Sequence, residues 1–118
     1  MNQANENSTL STHDVEDDER NHNIKIYING NLLHREEAKV SVYDAGFMLG
    51  DGMWEGMRLY NGKWAFFDAH MDRLFGSCKS VGIDIGMDRA GILDALNQTA
   101  QANGMVDDAH CRLMVTRG

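Results

Sequence analysis

Two Asn-Gly dipeptides, Asn29-Gly30 and Asn61-Gly62, each lie between short stretches suited to extended backbone. Asparagine and glycine tolerate the left-handed conformation that both central residues of a type I′ turn require, and that turn matches the twist of two antiparallel strands. Ile24, Ile26 and Ile28 alternate with Lys25, Tyr27 and Asn29, so a strand with one buried face enters the first turn and Asn31–His34 returns from it. Met53–Tyr60 enters the second turn and Lys63–Phe67 pairs back. Val40-Ser41-Val42 reads as a short additional strand and His110–Thr116 as the last one.

Two helices are interposed. Asp68 suits an N-cap, and Met71, Leu74, Phe75, Cys78 and Val81 follow at helical spacing on one apolar face. Asp88 suits the cap of a second helix, with Ile92, Ala95, Leu96, Thr99 and Ala100 turned inward and Gly104 at its end. Gly46, Gly50 and Gly52 argue for a tight irregular loop around Asp44–Asp51. The expected fold class is α+β, an antiparallel sheet of hairpins with two helices packed on one side.

Charge is unevenly placed along the chain. Its formal net charge is −7, yet residues 1–22 hold six acidic residues against Arg20 alone. That stretch has almost no large apolar side chains, so it reads as a disordered acidic tail ahead of one small domain over residues 23–118. No basic patch suggests a nucleic-acid or anionic-membrane partner. No apolar run approaches the ~20 residues that span a bilayer, and the N-terminus lacks a secretory pattern. Cys78 and Cys111 read as buried thiols, for which a reducing cytoplasm is the expected setting.

Arg73 shares a helical stripe with His70, Ser77 and Ser80, beside the apolar face, so partial burial is expected. Its planar fork suits a phosphate or carboxylate ligand, or else an ordinary ion pair to Asp44, Asp51 or a neighbour of Asp72. On the preceding strand Trp54, Gly56 and Arg58 share one face while Glu55, Met57 and Leu59 share the other. Trp54 between glycines suits either a pocket wall or a core aromatic. The five histidines show no metal-ligand spacing, and neither the phosphate-loop nor the dinucleotide fingerprint occurs. None of Lys25, Lys39, Lys63 and Lys79 sits where burial would lower its pKa enough for a Schiff-base nucleophile.

In order, VSVYDAGFMLGDGMWEGMRLYNG, HMDRL and the final VTRG resemble the class IV aminotransferases, the fold type IV enzymes that use pyridoxal 5′-phosphate. The resemblance runs over Ile24–Gly118. It implies that Arg73 is the arginine holding the cofactor phosphate and that Trp54 stands where the family has a Phe or Tyr lining the substrate pocket. Gly56 then backs that pocket, and Arg58 matches the arginine of the branched-chain signature FEGIR. The implied activity is ping-pong transamination between an amino acid, branched-chain by this signature, and a 2-oxo acid, in a homodimer. A D-amino acid transaminase, an aminodeoxychorismate lyase and an (R)-amine transaminase are the alternatives within the family. The resemblance also implies that the Schiff-base lysine lies on a larger second domain, so the chain is expected to be the N-terminal part of a longer polypeptide. A non-catalytic binding or assembly module is the expectation if it is not.

Overall fold

The computed structural model describes residues 18–118. In chain order the elements are β1 (Lys25–Ile28), β2 (Asn31–His34), α1 (Ala45–Leu49), β3 (Gly52–Tyr60), β4 (Lys63–Trp64), α2 (Phe67–Ser80), α3 (Arg89–Ala102) and β5 (Ala109–Thr116). Both Asn-Gly pairs make the expected turns, with φ of 49° and 91° at Asn29 and Gly30 and 48° and 76° at Asn61 and Gly62. The class is α+β, but the hairpins do not merge into one sheet. Among the described residues β1 and β2 form a two-stranded sheet, and a second antiparallel sheet runs in the order β4-β3-β5.

β3 is the organising strand. It pairs with β5 from Gly52 opposite Thr116 to Leu59 opposite Ala109. On its other side it pairs with β4 only at Leu59–Trp64 and Tyr60–Lys63, so most of that edge is left without a strand neighbour among the described residues. Met57 on β3, Met71, Leu74 and Cys78 on α2, and Ile92 and Leu96 on α3 form the buried cluster, joined by Ile83. The helical spacing of the α2 and α3 residues places them on one side of each helix, and burying those stripes against the inner face of β3 holds the layers together.

Five local expectations are corrected. Val40–Val42 is not a strand; Val40 and Val42 are exposed and the segment makes a turn, with Tyr43 N–H donating to Ser41 Oγ. The glycine-rich segment is not wholly irregular, because Asp44 caps the short helix α1 by accepting from Gly46 N–H and Gly50 ends it in the left-handed conformation. A side chain-capped helix of five residues outcompetes a loop there. The second hairpin returns only over Lys63–Trp64 rather than to Phe67. α2 starts one residue before Asp68, after Phe66 at φ 56° and ψ 36° with no side-chain cap, so Asp68 contributes its negative charge to the first turn rather than capping it.

The fifth concerns where order begins. Of the proposed tail, residues 1–17 lie outside the described residues, but Asp18–His22 are structured. Asp18 caps a 3-10 turn at Glu19–Asn21, and Arg20 donates to the carbonyls of Asp107 and Asp108. The first hairpin is anchored separately. Asn103, at the end of α3, accepts from Lys25 N–H and donates to Lys25 C=O, at 2.7 and 3.0 Å.

Candidate functional site

Alternation along β3 divides its side chains as expected. Glu55, Met57 and Leu59 are buried, whereas Trp54 is 57% exposed, which removes the core-aromatic reading. Arg112 lies directly across from Gly56 on β5, and its guanidinium sits 4.7 Å from the Trp54 ring centroid. Stacking of a planar cation on an indole holds both side chains on the open face. Met114, opposite Trp54, is also exposed, and His110 stands opposite Arg58. A Cβ at Gly56 would come within 3.0 Å of His110 Cε1, so glycine keeps this face open between tryptophan and histidine.

Arg73 is two-thirds exposed, more than its position beside the apolar stripe suggests. Its ion-pair partner is none of the aspartates considered from the sequence. It is Glu55, whose side chain is only 4% exposed. Arg73 Nε donates to Glu55 Oε2 at 2.8 Å and Nη2 donates to Oε1 at 2.6 Å, a bidentate contact across one edge of the fork. His70 Nδ1 bonds the same Oε1 at 2.6 Å. The hydrogen bond from Arg73 chiefly holds the Glu55 pKa below the usual carboxylate range; burial opposes that shift and the His70 bond adds to it. Glu55 in turn raises the pKa of Arg73.

Glu55 therefore takes two of the five guanidinium N–H groups; His70 Nδ1 lies 3.5 Å from Nη2, and the outer edge, Nη1 with Nη2, is left for an anion. Arg73 and Ser77 on α2 face Gly52, Trp54, Glu55 and Gly56 on β3 across an open groove of about 500 Å³. At Gly52 a Cβ would stand 2.7 Å from the Val115 carbonyl oxygen, so the strand start admits only glycine without a backbone shift. The donor set fits an anionic group such as a phosphate ester: one fixed, permanently charged fork, glycine backbone close by and an aromatic wall.

The structure thus brings Trp54, Gly56 and Arg73 to one groove but leaves Arg58 outside its lining. Arg58 Nη2 bonds Asp108 Oδ1 at 3.0 Å, and its guanidinium lies 5.9 Å from the Tyr60 ring. Sequence reasoning missed Glu55 as the partner of Arg73 and missed Arg112 altogether. Period-2 alternation in β5 placed Arg112 on the same face as His110 and Met114, and that was the one available signal. Burial raises the pKa of Cys78 and pushes that of Cys111 up to about 11, so neither thiol is primed as a nucleophile at neutral pH.

Residues 52–118 match the family profile described as amino-transferase class IV. A putative branched-chain-amino-acid aminotransferase of Methanocaldococcus jannaschii is 43% identical over 95 residues, 80% of this chain and 33% of the relative. A D-alanine aminotransferase of Listeria monocytogenes is 34% identical over 95 residues, covering 80% and 32%. Among solved structures, the branched-chain aminotransferase of Thermoproteus uzoniensis with norvaline superposes with a TM-score of 0.71 at 32% identity, over 80% of this chain and 33% of that one. The chain spans about a third of the length of these two relatives.

Proposed function

The chain belongs to the class IV aminotransferases, and from that premise we propose that it supplies the phosphate-anchoring side of a pyridoxal 5′-phosphate site in a transaminase. The amino donor we propose is a branched-chain amino acid and the acceptor a 2-oxo acid. The observation that carries the cofactor reading is Arg73, whose inner edge is occupied by buried Glu55 and whose outer edge borders a glycine-floored groove. Bound there, the cofactor supplies the electron sink that lets an amino group move between carbon skeletons. Arg73 holds the phosphate and takes no part in bond making; a fixed phosphate fixes the reacting end of the cofactor. Trp54 and Gly56 bound the space for substrate, and Arg112, held over the Trp54 ring, offers a cation for a substrate carboxylate. Arg58 stands outside the groove and contributes at the substrate end only if its Asp108 pair opens.

The D-alanine aminotransferase relative, at 34% identity, favours a second reading in which the donor is a D-amino acid. Adding L-leucine and D-alanine in turn to the full-length gene product discriminates between the two. Conversion of the bound cofactor by L-leucine supports the branched-chain reading, and conversion by D-alanine alone replaces it. In both cases the assembly proposed is a cytoplasmic homodimer, and the 118-residue chain alone is expected to show no transamination. The cofactor reading is tested by Arg73→Ala in the full-length gene product. Losing a charge-assisted fork should weaken cofactor binding about ten- to a hundredfold in a titration of the cofactor-free protein, whereas an unchanged affinity removes Arg73 from the site.

A further inference from the structure

Arg73 is a long, two-thirds exposed side chain on a helix surface, and such an arginine samples many rotamers unless something holds it. Glu55 holds it. The carboxylate comes from the adjacent strand rather than from the same helix, is nearly inaccessible to water, and occupies the Nε and Nη2 donors together. His70, one helical turn before Arg73, bonds the same Oε1 and fixes the carboxylate plane in turn.

We infer that Glu55 is a positioning residue: from the inner face of β3 it sets the rotamer of Arg73 so that the outer edge of the fork is presented, already ordered, to the phosphate of the cofactor. The inference rests on the reading of Arg73 given above and extends it to a residue that touches no ligand. A carboxylate behind a phosphate-binding arginine has two opposing effects. It orders the fork, and it cancels part of the charge that attracts the anion. Ordering prevails here because the carboxylate lies on the far edge of the fork and is neutralised by Arg73 and bonded by His70. The outer edge also meets solvent, which screens the more distant negative charge.

The test is a double-mutant cycle on the full-length gene product, stripped of cofactor and titrated with pyridoxal 5′-phosphate. The 31P resonance of the bound phosphate serves as a second readout. Glu55→Gln keeps the shape but leaves one acceptor for two arginine donors, and is expected to weaken binding about tenfold and shift the 31P signal. In the Arg73→Ala background the same change is expected to add nothing, because Glu55 acts only through Arg73. Glu55→Asp retains the charge but withdraws it by one methylene. It is expected to fall between the parent and the Gln variant, and it carries the test if the Gln variant does not fold. Losses that add across the cycle overturn the positioning role, as does a Gln variant that binds as tightly as the parent or tighter. Both results leave the anchoring role of Arg73 standing. An Arg73→Ala variant with unchanged affinity overturns the anchor reading, and this inference falls with it.

Discussion

The two faces of β3 are made by neighbouring residues and serve different ends. On the inner face Met57 and Leu59 are at most 2% exposed, and Met57 packs with Met71, Leu74 and Cys78 of α2. On the outer face Trp54 remains 57% and Met114 63% exposed, around a glycine and two cations. The strand thus buries one face in the core and leaves the other open to solvent. Glu55 joins the two. It is a buried residue of the inner face whose carboxylate reaches the rim of the groove through Arg73.

Met57→Ala should have the largest effect on stability. Truncating a fully buried methionine removes its transfer energy and leaves a cavity, costing about 2–5 kcal/mol in urea unfolding of the full-length gene product. A loss below about 1 kcal/mol would mean that β3 and α2 are not packed as tightly as their burial implies.

Acid should act next, through Glu55. Its pKa is depressed in the folded state, so the unfolded chain binds the proton more readily. Stability from this group is therefore complete above the ordinary carboxylate range and is lost as pH falls through the lower, folded value. Unfolding free energy measured against pH should show that acid limb, and Glu55→Gln should flatten it. An acid limb unchanged by the substitution would assign it to other carboxylates.

Trp54→Ala should be the mildest for the fold, within about 0.5 kcal/mol, because the ring contributes to the open face and not the core. It should instead alter KM for amino donors. A destabilisation comparable to that of Met57→Ala would erase the distinction between the faces.

The same division marks what could be read from the sequence. Hairpin turns need only Asn-Gly, the α2 and α3 stripes need only their helical spacing, and the facing of Glu55 and Trp54 needs only period-2 alternation. These depend on neighbours in the chain, and they appear, except that Val81 falls past the end of α2 and is 40% exposed. The separation into two sheets and the brevity of β4 depend on how the hairpins pack, which local pattern does not encode. Helix α1 was hidden by three glycines, although Asp44 two residues before Gly46 was a legible cap. The partner of Arg73 was hidden for a different reason. Glu55 is 18 residues earlier, and only the docking of α2 on β3 brings the two together, so charge matching alone did not single it out from the loop aspartates. Those aspartates are engaged elsewhere, Asp44 at the cap of α1 and Asp51 with Arg117 at 2.6 Å.

The most direct measurement is a crystal structure of the full-length gene product with pyridoxal 5′-phosphate bound. The phosphate oxygens should lie about 3 Å from Nη1 and Nη2 of Arg73, with Glu55 still bonded to Nε. A phosphate held elsewhere, with the outer edge of Arg73 left in water, would contradict the anchoring role on which this account of the site depends.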